Sequence, residues 1–200
     1  MIHLKRIKVK ESPYFENSEL LKGLEFECSD VNLFVGDQGT GKSSLLRMLS
    51  QNSSKLELEL SAGTLARGIK SYYFDTEKDN PRINDPQLYT TPGGKDTGIG
   101  FRGALASRFQ SHGEVLSGMV LAPLMTAKNC VVLLDEPESG LSVRNQLRLI
   151  TAINKAVKSR CQIFIATHNV LLIEAYEVIS LDHKCRMSGK DYIKGVKHEI

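Results

Sequence analysis

Apolar and polar positions alternate over residues 2–9, and residues 24–35 alternate or run apolar, the habit of β-strands. The second block ends at a glycine-rich turn. SSLLRML (Ser43 to Leu49) then sets Leu45, Leu46 and Leu49 on one face of a helix. LELEL (Leu56 to Leu60) repeats with period two and IKSYYF (Ile69 to Phe74) is rich in strand formers, predicting two more strands. Between residues 75 and 100 the pattern lapses. Pro81, Pro86, Pro92, Gly93, Gly94, Gly98 and Gly100 predict a long, mobile loop there. Helical patterns follow near 101–110 and 114–128, then the buried strand CVVLL (Cys130 to Leu134). A helix is expected from Val143 to Lys158 with Val143, Leu147, Ile150, Ile153 and Val157 facing inward. QIFIA (Gln162 to Ala166) is a second buried strand, followed by a short helix and a last strand near Val178 to Leu181. Residues 182–200 are polar and are assigned little structure.

Strands alternating with helices predict an α/β fold, a mainly parallel core sheet flanked by helices with a small antiparallel β part at the N-terminus. The 200 residues suit one domain, at 41% hydrophobic and 24% charged. No apolar run approaches the roughly 20 residues a bilayer demands, so direct membrane insertion is not expected. MIHLKRIKVK lacks the apolar core of a signal peptide, which predicts a cytoplasmic chain. Cys28, Cys130 and Cys161 fall at strand edges and Cys185 stands apart, with no CxxC pair; small buried thiols are expected rather than a redox or metal site. The net charge is only +3. Basic residues nevertheless gather at both ends: His3, Lys5, Arg6, Lys8 and Lys10, then Lys184, Arg186, Lys190, Lys194 and Lys197. Either a solvated face or a patch that tracks phosphates fits them.

The sharpest chemical signal is GDQGTGKS: Gly36, Asp37, Gln38, Gly39, Thr40, Gly41, Lys42 and Ser43, with Ser44 behind it. It fits G-x-x-x-x-G-K-[ST] and sits between an apolar strand (Val31 to Val35) and a helix, where the chemistry needs it. Glycines let the backbone curl so that successive N–H groups face one concavity, and the helix adds its positive end. Lys42 would bring a full charge to the β- and γ-phosphates of ATP, and the Ser43 hydroxyl would ligate Mg²⁺.

VVLLDE (Val131 to Glu136) ends an apolar strand in two carboxylates, delivered to the edge of the sheet where ligands of open α/β folds bind. Asp135 is expected to hold Mg²⁺, and Glu136, one residue further out, to polarise the attacking water. IFIATHN (Ile163 to Asn169) ends a second strand of the same sheet in Thr167 and His168. From there His168 could donate to the γ-phosphate and register its loss.

These motifs together resemble the ABC-type P-loop ATPases. GDQGTGKS looks like their Walker A motif, VVLLDE their Walker B, ATH their histidine switch and PESGLS (Pro137 to Ser142) their D-loop. QSHGE (Gln110 to Glu114) stands at the signature position, with Ser111 and Gly113 matching the serine and second glycine of LSGGQ. The resemblance runs through residues 1–181, read as a single ATPase domain in which 75–113 is an inserted loop and signature region, with 182–200 a polar C-terminal tail. It implies ATP and Mg²⁺ as ligands and an ATP-dependent head-to-tail homodimer. Each nucleotide would then touch Walker A of one subunit and Ser111 and Gly113 of the other. The signature reads S-H-G-E and Ser142 replaces the usual aspartate, forms similar to stand-alone SMC- and RecF-like heads of predicted bacterial or phage AAA-family ATP-binding proteins. That similarity implies a DNA-related or phage-defence role with nucleic acid as a partner. The alternative is the nucleotide-binding motor subunit of a membrane transporter; a small-molecule kinase would need neither signature serine nor switch histidine. Candidates for the Q-loop residue are Gln87 and the acidic Asp75-Thr76-Glu77. Tyr14 and Phe15 either stack on adenine or pack locally.

Overall fold

Two sheets carry the fold in the computed structural model, which describes residues 3–11, 21–61, 71–75 and 112–198. The loop expected over most of 75–113 and the helix near 101–110 lie outside the described residues, as do Tyr14, Phe15, Thr76, Glu77, Gln87 and Ser111.

Strands β1 (Leu4–Val9), β2 (Glu25–Glu27) and β4 (Leu56–Leu60) form a three-stranded antiparallel sheet in the order β2-β1-β4. The core sheet has six strands in the order β5-β6-β7-β3-β8-β9. They are β3 (Val31–Val35), β5 (Ser71–Asp75), β6 (Val131–Asp135), β7 (Gln162–Ala166), β8 (Glu177–Ser180) and β9 (Cys185–Ser188). All neighbours in it run parallel except β8 and β9. The helices are α1 (Lys42–Ser50), α2 (His112–Thr126), α3 (Val143–Lys158), α4 (Val170–Ala175) and α5 (Gly189–His198).

The fully buried pattern of β6 and β7 follows from cover on both faces. On one face Leu133, Phe34 and Phe164 pack with Leu45, Leu46 and Leu49 of α1 and with Ile7 and Phe26 of the antiparallel sheet. Phe34 is the hub, edge-on to Phe26 and stacked on Phe164. Truncating it to alanine would cost about 3–5 kcal/mol. On the other face Leu33, Val132, Leu134 and Ile165 meet Val120 and Leu124 of α2, Leu149 and Ile153 of α3, and Leu172 of α4. Gln162 knits the sheets together. Its amide accepts from the N–H groups of His3 and Leu4 and donates to the carbonyls of Leu4 and Ser29.

Three expectations change. Residues 24–35 are not one strand: the chain turns at Ser29-Asp30, where the Asn32 side chain bonds both N–H and C=O of Ser29, and β2 and β3 go to different sheets. In α3, Ile153 is buried and Ile150 and Val157 are partly so, but Val143 and Leu147 are 64% and 52% exposed. The buried stripe is Leu149, Ala152, Ile153 and Ala156; at 3.6 residues per turn these share one face, and Val143 and Leu147 fall on the far side of the helix from it. Finally, residues 182–200 are not structureless. Arg186 donates to Ser29 Oγ, the Glu27 carbonyl and Asn32 Oδ1, which seats β9 at the sheet's edge. Ser188 accepts from the Asp191 N–H at 3.1 Å and so caps α5, whose Tyr192 and Ile193 pack on the core.

Candidate functional site

The parallel register brings the C-terminal ends of β3, β6 and β7 side by side, with Asp135 opposite Ala166 and Phe34 opposite Ala166 on the other flank. From these ends spring the segments Gly36–Gly41, Glu136–Ser142 and Thr167–Asn169. The residues singled out as Walker A, Walker B and switch therefore converge on one edge of the sheet.

Gly36, Gly39 and Gly41 take φ values of 143°, 86° and 94°, which side chains rarely adopt. Space is also short. A Cβ on Gly36 would lie 2.6 Å from Asp182 Oδ2, and one on Gly41 2.8 Å from Leu21 Cδ1. Thr40 Oγ1 donates to the Asp37 carbonyl at 2.9 Å and closes the curl. Gln38 and Gly39 lie exposed at its tip. Gly41 caps α1, so the unpaired N–H groups of Lys42, Ser43 and Ser44 and the positive end of the helix point into the curl. Lys42 is 6% exposed, and its ammonium donates to the carbonyls of Gly36 and Asp37 at 2.9 and 2.8 Å. Burial pulls its pKa down, while Asp182, Glu136, Asp37 and Asp135 oppose that shift by their charge.

Ser43 Oγ donates to Asp135 Oδ1 at 2.9 Å. Tyr73 on β5 donates to Asp135 Oδ2 at 3.1 Å, and Arg47 on α1 reaches Asp75 at 3.4 Å. Burial raises the pKa of Asp135, against the hydrogen bonds from Ser43 and Tyr73. A carboxylate held this way gains from a cation. A hydroxyl and a carboxylate are hard oxygen donors, the kind Mg²⁺ takes beside phosphate oxygens and water. Among the described residues no cluster of three or more His, Cys, Asp or Glu could hold a metal unaided. The pair therefore fits an ion that arrives with a nucleotide's phosphates.

Glu136 has a φ of 47°, a left-handed backbone that costs a non-glycine residue strain. Its N–H still donates to the Ala166 carbonyl at 2.9 Å, which ties the turn to β7. The turn swings the Glu136 carboxylate out of the sheet to 4.0 Å from His168 Nε2, and both side chains are about half exposed. The Glu136 carboxylate and the His168 ring thus face one solvent-accessible space. Gly113 lies in the first turn of α2, which packs against α3 on the sheet face opposite α1.

Asp182, Tyr73, Arg47 and Glu138 were not singled out by the sequence, although Asp75 was named as a Q-loop candidate. Asp182 Oδ2 accepts from the Asp37 N–H at 3.1 Å and so braces the loop from the end of β8. Tyr73 carried a signal of sorts, two residues before Asp75 on a strand in register with β6. Part of the basic clusters is paired with acidic neighbours. Arg6 pairs with Glu25 and Glu59, Lys8 with Glu25, Lys10 with Glu57 and Arg186 with Glu177. Cys28, Cys130 and Cys161 are buried, as expected, and none is in a disulfide; the sulfurs of Cys130 and Cys161 lie 3.5 Å apart, and Cys28 is pushed up to about 12 by burial. No described helix is long and apolar enough to cross a membrane.

A family model described as "AAA domain, putative AbiEii toxin, Type IV TA system" matches residues 100–174. The chain is 25% identical over 227 residues to the human mitochondrial iron-sulfur clusters transporter ABCB7, covering 94% of this chain and 28% of that protein. It is 23% identical over 187 residues to an ABC transporter ATP-binding protein of Pyrococcus horikoshii, covering 80% and 72%. Among solved structures it resembles a nucleotide-free ATP-binding cassette from an ABC transporter (TM-score 0.63, 16% identity, 98% and 96% of the two chains). A bacterial Atm1-family ABC exporter with ATP bound gives a TM-score of 0.60 at 18% identity, over 97% of this chain and 41% of that one. A dimeric cassette bound to ADP and Pi gives 0.54 at 14% identity, over 94% and 98%. The comparisons do not single out SMC- or RecF-like heads. This chain has the fold of the ABC-type ATP-binding (ATPase) cassettes and is similar to them in sequence.

Proposed function

We propose that the chain binds Mg-ATP, hydrolyses it, and uses the nucleotide to close and reopen a homodimer. The observation that carries this is the convergence of Lys42, Ser43, Asp135, Glu136 and His168 on one sheet edge. The glycine loop and the end of α1 would hold the phosphates, and Ser43 and Asp135 would hold Mg²⁺, which supplies charge to the β- and γ-oxygens. Glu136 would orient and deprotonate the attacking water, and His168 would donate to the γ-phosphate. With one chain the γ-phosphate side of this edge is open to solvent. A second chain's Ser111 and Gly113 would cover it and exclude water, strengthening every charge interaction inside. The likeness to dimeric cassettes supports that closure.

For the work the switch performs, the transporter proteins among its relatives favour the nucleotide-binding motor of a membrane transporter over a nucleic-acid machine. The ion pairs that occupy the N-terminal basic cluster point the same way. A cytoplasmic site of action is part of this reading. The chain spans about a quarter of the length of the ABCB7 relatives, so a membrane part would be a partner or a further segment.

Light scattering on the Glu136→Gln form, which should bind ATP without turning it over, tests the switch. Monomer without nucleotide and dimer with Mg-ATP is the expected result; one unchanging mass would contradict it. Capture with the same trapped form separates the partners, a membrane protein supporting the motor reading and DNA or RNA opposing it.

A further inference from the structure

Glu138 joins the loop after Glu136 to the residues after β7, and no step above uses it. It is 9% exposed, and its Oε1 accepts from Thr167 Oγ1 at 2.5 Å and from the His168 N–H at 3.2 Å. Thr167 Oγ1 in turn accepts from the Asn169 N–H at 2.9 Å, and the Asn169 side chain caps α4 through the Leu172 N–H. Residues 167–169 are thus strung from one carboxyl oxygen. The carboxyl itself belongs to the turn fastened by Ser139 N–H to the Glu136 carbonyl and Leu141 N–H to the Glu138 carbonyl. Its other oxygen, Oε2, is buried with no hydrogen-bond partner among the described residues.

A buried carboxyl with one oxygen unmatched is a poor choice if fastening were its only task. Burial also lifts its pKa above the usual carboxylate range. What the position does supply is a rigid link between the segment carrying Glu136 and the backbone of His168. The half-exposed His168 ring hangs from that backbone, facing Glu136.

We propose that Glu138 is a positioning residue that holds His168 at the γ-phosphate edge and couples it to the 137–142 loop. The proposal rests on the reading of His168 as a γ-phosphate donor. When the 137–142 loop shifts, His168 shifts with it. The site's preference for ATP over ADP therefore depends on the state of that loop.

The test measures ATP and ADP affinity by calorimetry with Mg²⁺, using the full chain in a Glu136→Gln background. Glu138→Ala should lose about tenfold of the ATP-over-ADP preference, the worth of one well-placed hydrogen bond, with ADP affinity unchanged. Glu138→Gln keeps an acceptor oxygen for both donors and should retain most of the preference. Thr167→Val cuts the same link from the other side with little change of volume, and serves if Glu138→Ala does not fold. Equal weakening of both nucleotides, or an intact preference in Glu138→Ala and Thr167→Val, overturns the proposal. His168→Ala separates the two layers. If it removes the preference and the other two do not, the coupling alone is wrong. If it leaves the preference intact, the role of His168 falls and the coupling falls with it.

Discussion

Ser43 Oγ and Asp135 Oδ1, 92 positions apart in the chain, share a 2.9 Å hydrogen bond between the first turn of α1 and the last residue of β6. That bond brings the phosphate loop and the acidic strand end within one ligand's reach.

Mg-ATP should stabilise this arrangement by about 2.7 kcal/mol at a hundredfold excess over its Kd. For a chain of this size that raises Tm by about 5–11 °C. Lys42→Ala should lose most of the rise in a thermal melt, because the ammonium already lies inside the loop's curl. An equal rise in both proteins would remove Lys42 from the phosphate site.

Glu136→Gln should keep ATP binding and slow phosphate release by about 10²–10⁴-fold, the usual worth of a general base. Asp135→Asn should act differently, weakening the dependence of ATP affinity on Mg²⁺. A wild-type hydrolysis rate in Glu136→Gln would place the base elsewhere, with Asp75 and Glu77 the next residues to substitute.

Gly41→Ala should destabilise the fold by about 1–3 kcal/mol, since it combines a left-handed backbone with a crowded Cβ. The methyl would meet Leu21 Cδ1 at 2.8 Å with φ held at 94°. Urea unfolding measures it, and an unchanged midpoint would contradict the loop geometry.

Glu138 gives a pH signature. Its folded pKa is raised by burial, so the native chain holds the proton where the unfolded chain has lost it. Stability therefore falls as pH rises from the unfolded value, about 4.3, through the raised folded one. The penalty is absent below that window and complete above it. Glu138→Gln has no such titration. The Tm of the wild type minus that of the variant should grow more negative as pH rises; a flat difference would mean Glu138 does not titrate in this way.

The sequence reveals whatever depends on local pattern. GDQGTGKS, VVLLDE and IFIATHN locate three strand ends, and the bounds of α3 and β7 are as expected. Less local features are harder to read. Val143 and Leu147 fit one apolar period of the helix, yet Leu149, Ala152, Ile153 and Ala156 form another face, and packing on the sheet selects that one. Tyr73, Glu138 and Asp182 reach the site through partners 62, 29 and 145 positions away, which no spacing rule encodes. The C-terminal helix had a local signal that polarity masked: Ser188 and Asp191 stand at capping-box spacing before Tyr192 and Ile193.

The central claim is that each hydrolytic site draws on two copies of the chain, and mixing two inactive variants tests it most directly. Ser111→Arg should block closure by bulk and charge while leaving each chain's own ATP affinity nearly unchanged. Lys42→Ala should empty the phosphate loop. A mixed dimer then has one site with both defects and one with neither, so the mixture should regain part of the wild-type ATPase rate that neither variant shows alone. No recovery, from variants that fold and are each inactive, would mean the chain hydrolyses ATP by itself and the two-chain site is wrong.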